Sequence, residues 1–236
     1  MLKINIQLFG GRGARFGGSG GGTSDGGGTA VNTTDLVSLR ETKQQLVDDT
    51  LTVFRDYEKN YGYIVEQISV AQMDSKGANT LAYWTLDNEI AVNEKYFNDN
   101  IEKAYANSVK NGFHPSNGNK TALQAVVAHE IGHGLTDKVA VAMGIKDMNA
   151  IDVASKRIME EARQITGAKG VRVMAQNISG YATKSNAEAV AEAMSDYYCN
   201  GQNAKPESIA IRNVVAKYIG VAPKEIKVNP NQQIKL

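Results

Sequence analysis

Apolar positions along the chain change their repeat several times, and each change marks a different kind of element. Between residues 35 and 57, Leu36, Leu39, Leu46, Val53, Phe54 and Tyr57 follow a helical period, and Thr34 or Asp35 can cap the first turn. After Gly62 the pattern becomes strand-like. Residues 63–71, 81–85 and 89–92 are rich in β-branched and aromatic side chains, and turn-forming residues separate them at 74–79 and at Asp87-Asn88. The helical period returns over 95–109, stops in the polar, Gly- and Pro-containing stretch 111–119, and then governs 121–138, 151–165, 186–198 and 207–218. These elements predict an α+β fold in which a small sheet precedes a helical C-terminal half.

The first thirty residues read differently. Leu2, Ile4, Ile6 and Leu8 alternate with polar residues, so 1–9 is expected to be a strand for some partner or a docking peptide. Eleven of the 23 glycines fall between Gly10 and Gly28, in a tract that cannot bury enough surface to offset its backbone entropy. Residues 10–30 are therefore expected to be a flexible linker, leaving 31–236 as one domain. Arg12-Gly13 and Arg15 lack the repetition of RGG-type nucleic-acid segments. Lys and Arg total 26 against 25 Asp and Glu, a balance that gives no electrostatic reason to expect nucleic acid or an anionic membrane as partner. No stretch approaches the ~20 apolar residues of a spanning helix, and 1–9 has no signal-peptide core, so a soluble chain without an export signal is expected. The single cysteine, Cys199, excludes an intramolecular disulfide and leaves the compartment open.

Chemistry concentrates in His129-Glu130-Ile131-Gly132-His133. Histidines four residues apart share a helical face and can aim ring nitrogens at one ion, which a tetrahedral Zn²⁺ site requires. Glu130, about 100° around the helix from His129, can take a proton from a water at such a metal without ligating it. With only three histidines in the chain, this pattern would arise by accident roughly once in five hundred sequences of the same composition. Leu123, Val126, Val127, Ile131 and Leu135 give the helix a buried stripe, while Gly132 and Gly134 weaken it and call for a close approach by a neighbouring wall or sheet.

Two histidines do not complete a catalytic zinc site. Residues 134–137 lack the third histidine of a metzincin spacing. His114 could swing in from its loop. Glu188, Glu192 and Asp196 recur at i, i+4 and i+8, a row of like charges that is unfavourable unless something positive faces it. Ser185 and Glu188 also fit a capping box, in which the glutamate only satisfies a helix terminus. Glu192 is either the third ligand or the acceptor that fixes the tautomer of a ligating histidine. Asp196 is expected to be structural.

The motif helix and the segment Gly180-Tyr181-Ala182-Thr183-Lys184-Ser185-Asn186-Ala187-Glu188-Ala189-Val190-Ala191-Glu192-Ala193 resemble the catalytic domain of anthrax toxin lethal factor and its relatives, gluzincin-type zinc peptidases with a zincin-like fold. In that family a tyrosine stands seven residues before the glutamate ligand, and an E-x-x-A-E-A helix follows. The resemblance implies one Zn²⁺ held by His129, His133 and Glu188, with Glu130 as base, Tyr181 donating to the oxyanion and Glu192 behind a ligand. Val190 and Met194 replace bulky aromatic residues of the family's glutamate helix, so substrate preference does not carry over. Residues 2–13 look like the opening of structural and head-morphogenesis proteins of tailed phages and prophages, which would make a phage capsid a partner.

The expected activity is zinc-dependent endopeptidase hydrolysis of a protein or peptide substrate. Zincins usually place a substrate-pairing sheet edge ahead of the motif helix, which nominates Asn88, Glu89, Ile90, Ala91, Val92 and Asn93 for binding the substrate backbone. The competing expectation is a virion structural or interaction protein that keeps a peptidase-like fold without catalysis.

Overall fold

In the computed structural model, residues 33–71, 80–98, 100–146 and 149–222 are described. The expected peptide at 1–9, the linker at 10–30 and the turn at 74–79 lie outside them. The described chain forms two compact units that divide between Ala104 and Tyr105, both within the region expected to be one domain.

In the first unit, helix α1 runs over Thr33–Tyr61 and buries Val53, Phe54, Tyr57 and Tyr61. It ends where Gly62 adopts φ 56°, a left-handed conformation that lets its N–H reach the Glu58 carbonyl at 2.9 Å. Strands β1 (Gln67–Ala71), β2 (Ala82–Trp84) and β3 (Glu89–Asn93) form a three-stranded sheet in the order β1-β3-β2. β1 is parallel to β3, with Ser69 opposite Ala91, and β2 is antiparallel to it, with Tyr83 opposite Ala91. The predicted turn at Asp87-Asn88 is present. Asn88 takes φ 57°, which its short polar side chain tolerates, and its Oδ1 accepts from the Tyr63 hydroxyl at 3.0 Å. Tyr63 in turn accepts from Trp84 Nε1 at 3.1 Å, tying the segment after α1 to the sheet.

This topology corrects one expectation. Residues 88–93 were nominated as an open edge for a substrate, but β3 is the central strand and is paired on both sides. Asn88 O accepts from Glu66 N, and Asn93 N donates to Leu81 O, so even the ends of the segment are engaged. A strand flanked on both sides has no free ladder for a substrate to extend.

The helix expected over 95–109 is split. A 3-10 turn covers Glu94–Tyr96, and helix α2 (Asn100–Lys110) starts anew where Asn98 Oδ1 accepts from the Asn100 N–H at 2.8 Å. The second unit continues with α3 (Ala122–Ala142), α4 (Ala150–Thr166), α5 (Val171–Ile178), α6 (Asn186–Asn200) and α7 (Pro206–Tyr218). Helix α5 falls in a region where no element was expected. With helices forming most of the described chain beside one small sheet, the architecture is compatible with α+β.

Helix α3 begins at a reciprocal capping box, in which Thr121 Oγ1 accepts from Gln124 N and Gln124 Oε1 accepts from Thr121 N. It is buried nearly all round. Leu123, Val127, Ile131, Leu135 and Val139 are fully inaccessible, each contributing about 1.5–3 kcal/mol by burial. Helix α6 packs along it, and Ser195 Oγ pins the pair by donating to Ala125 O at 2.8 Å. The close approach that Gly132 called for is made by this helix and not by a sheet: a Cβ on Gly132 would stand 2.7 Å from Ala191 Cα. Among the described residues, no helix is long and apolar enough to cross a membrane.

Candidate metal centre

The α3–α6 contact brings the two sequence motifs face to face. His129 and His133, one turn apart on α3, point at Glu188 in the first turn of α6. His129 Nε2 lies 3.1 Å and His133 Nε2 3.4 Å from Glu188 Oε2, and one ligand atom from each residue lies within 4.8 Å of the others. Donors bound at about 2.0–2.1 Å around a tetrahedral Zn²⁺ stand about 3.3 Å apart, so these two distances match the edges of a site that could share one ion. The capping-box reading of Ser185 and Glu188 is met only in part. Ser185 Oγ does accept from the Glu188 N–H, at 3.1 Å, but the glutamate carboxylate turns to the histidines.

Glu192, one turn further along α6, is almost completely buried and sits behind His129. Its Oε1 accepts from His129 Nδ1 at 2.8 Å, its Oε2 accepts from Ser179 Oγ at 2.7 Å, and His114 Nδ1 donates to Oε1 at 3.0 Å. An ionised carboxylate only accepts, so His129 carries a hydrogen on Nδ1 toward Glu192, and its Nε2 faces Glu188 either as a second N–H donor or, across a metal ion, with its lone pair. Two acceptors 3.1 Å apart need a proton or a cation between them. The donor set therefore suits a divalent metal, with two imidazole nitrogens and one carboxylate oxygen.

Burial disfavours the charged form of His129, but its hydrogen bonds with Glu188 and Glu192 outweigh that and raise its pKa well above the usual imidazole range. Burial would raise Glu188, yet His129 and His133 hold it well below the ordinary carboxylate range. Burial opposes ionisation of Glu192 too, and the hydrogen bonds from His114 and His129 bring it down to about 2. Glu130 is buried on α3 and close enough to act on both His129 and Tyr181. The site thus gathers three carboxylates, an environment that asks for positive charge.

Tyr181 occupies a 3-10 turn, Tyr181–Thr183, just before α6. Its ring centroid is 5.8 Å from that of His129 and 5.2 Å from that of His114. Burial first, then the carboxylates of Glu188, Glu130 and Glu192, push its pKa far up, so the phenol keeps its hydrogen and remains a donor. Asp196 lies outside this cluster: its carboxylate accepts from Asn200 Nδ2 and Lys205 N at the end of α6, as a structural residue would.

His114 does not join the metal-ligand cluster among the described residues, and stands on Glu192 instead. Ser179 was not singled out in the sequence, where a serine ahead of a glycine carries no signal of its own. Residues 88–93 belong to the first unit and to its sheet. Comparison with protein-family models, curated proteins and solved structures finds no match to this chain.

Proposed function

We propose that the chain is a zinc-dependent endopeptidase of the gluzincin type, with a zincin-like fold built around α3 and α6. The observation that carries this reading is the convergence of His129 Nε2, His133 Nε2 and the Glu188 carboxylate at the spacing of a tetrahedral metal edge. These three residues would hold the ion. A bound Zn²⁺ supplies Lewis acidity, lowering the pKa of a water and polarising a carbonyl oxygen.

The remaining residues fill the other roles. Glu130, adjacent to His129 on α3, takes the proton of the attacking water on its carboxylate and returns it to the leaving amine nitrogen. Tyr181, held protonated, donates its O–H to the oxyanion that forms at the scissile carbonyl. Glu192 holds the Nδ1–H of His129, which keeps Nε2 available as a ligand and fixes the ring. The resemblance to the lethal-factor family supports the same assignment, because Tyr181, Glu188 and Glu192 follow the motif in that family's order and spacing. The substrate class is protein or peptide.

The test compares zinc-loaded wild type and Glu130→Gln on a peptide library of mixed sequence, with new termini read by mass spectrometry. Wild type should generate them, and the variant, with zinc retained, should lose about 10²- to 10⁴-fold in rate. Absence of cleavage by the zinc-loaded wild type, or equal cleavage by the variant, would refute the assignment.

A further inference from the structure

Resting on that proposed zinc site, we infer that His114 is a positioning residue of the metal centre, acting through the carboxylate of Glu192 on the ligand His129. Glu192 Oε1 receives two imidazole N–H groups, from His129 at 2.8 Å and from His114 at 3.0 Å, while Oε2 receives the Ser179 hydroxyl at 2.7 Å. The carboxylate is thus held by His114 on Oε1 and by Ser179 on Oε2 as well as by His129. Removing the hydrogen bond from His114 leaves one fixed point on Oε2 and lets Oε1 rotate away from Nδ1.

The loop that carries His114 is built to hold it there. Gly112 takes φ 67° at the end of α2, and Gly112 O and Phe113 O then accept from the N–H groups of Gly180 and Tyr181 at 2.8 and 2.9 Å. Those two bonds clamp residues 112–113 against the turn that presents Tyr181. Gly180 is confined by the same clamp, since a Cβ there would meet Gly112 O at 3.2 Å. On the far side, Tyr105 stacks on the His114 ring at 5.4 Å and 7° and donates its hydroxyl to Pro115 O. Asn200 Nδ2 reaches Ser116 O at 2.7 Å. A histidine needed only as filler for this space would have no use for an Nδ1 aimed at a buried carboxylate. One loop therefore holds both the hydrogen-bond donor for Glu192 and the backbone that seats Tyr181.

The experiment measures zinc affinity by chelator competition at fixed pH, and the visible spectrum of the Co²⁺-substituted protein, for wild type, His114→Phe and His114→Asn. Phenylalanine keeps the stacking on Tyr105 and loses the donor, whereas asparagine places an N–H near the Nδ1 position. Zinc affinity should fall about 10- to 100-fold in His114→Phe, with a shifted Co²⁺ spectrum, and return to within a few-fold of wild type in His114→Asn. His114→Gln, whose amide reaches the Nε2 position instead, should lose affinity like phenylalanine and serves if His114→Phe does not fold. Wild-type affinity and an unchanged Co²⁺ spectrum in a folded His114→Phe or His114→Gln protein would overturn the role of His114 and leave the metal site standing. A wild-type protein that binds no zinc would overturn both.

Discussion

Replacing Gly132 by alanine opposes two effects of known sign. In an exposed helix the change gains roughly 1 kcal/mol, because glycine is a poor helix former. Here the added methyl carbon would stand 2.7 Å from Ala191 Cα and 3.3 Å from Ala191 Cβ, and the first of these has no flexible end that can yield. The helices must separate locally by about 0.7 Å before that pair reaches van der Waals distance. Overpacking of this kind costs about 1–3 kcal/mol, so the variant should be less stable than wild type by up to about 2 kcal/mol. The displacement also falls between the helix that carries His129 and His133 and the helix that carries Glu188. Metal–ligand distances tolerate only about 0.2 Å, so zinc affinity should drop at least about tenfold. Urea unfolding in the presence of EDTA reads the first effect, and chelator competition on the folded protein reads the second. A Gly132→Ala protein that is about 1 kcal/mol more stable and holds zinc as well as wild type would show that α3 and α6 do not cross at this point.

Tyr181→Phe should retain zinc and fold while losing about 10²- to 10³-fold in turnover with little change in KM, since in the proposed mechanism the phenol acts on the transition state; near-normal steady-state rates would remove it from the mechanism. Asp196→Ala should cost about 1–3 kcal/mol in a urea titration, because Asn200 Nδ2 and Lys205 N lose their acceptor, with zinc content unchanged; loss of zinc would place Asp196 in the site. Glu161 on α4 accepts from Arg157, and from Lys217 and Tyr218 of α7. Burial opposes its charge, yet these bonds lower its pKa from 4.5 to about 2, so its stabilisation is complete above pH 4.5 and is lost as pH falls toward 2. Acid unfolding of Glu161→Gln should accordingly show a shallower decline across that window, and an identical decline would contradict the network.

What could be read from the sequence was local or repetitive. His129 and His133 needed only a helical period to share a face. The like-charged row Glu188, Glu192 and Asp196 signalled that something positive lay opposite at least part of it. The structure divides that row into a carboxylate on the histidine Nε2 atoms, a carboxylate on Nδ1, and a structural cap. Long-range facts were not legible. His114 and Glu192 are 78 residues apart in sequence, and nothing near either names the other. The helix opposite Gly132 could equally have been a sheet, because a glycine announces a close approach without naming the partner. The central place of β3 depends on a crossover, since β1 pairs with it in parallel although β2 lies between them in the chain. Helix α5 is not legible because it has only eight residues, three of them the β-branched Val171, Val173 and Ile178, and glycines at 167 and 170 stand just ahead of it. Its buried Met174, Ala175 and Ile178 show that packing, and not propensity, makes it helical.

The central claim is that His129, His133 and Glu188 hold one zinc ion, and elemental analysis of the purified protein beside Glu188→Ala tests it most directly. Wild type should carry one zinc per chain and Glu188→Ala should lose it, because the two histidines left cannot retain the ion at useful affinity. Stoichiometric zinc in Glu188→Ala, or a wild-type protein that takes up iron in preference to zinc or binds no metal when zinc is supplied, would contradict the account.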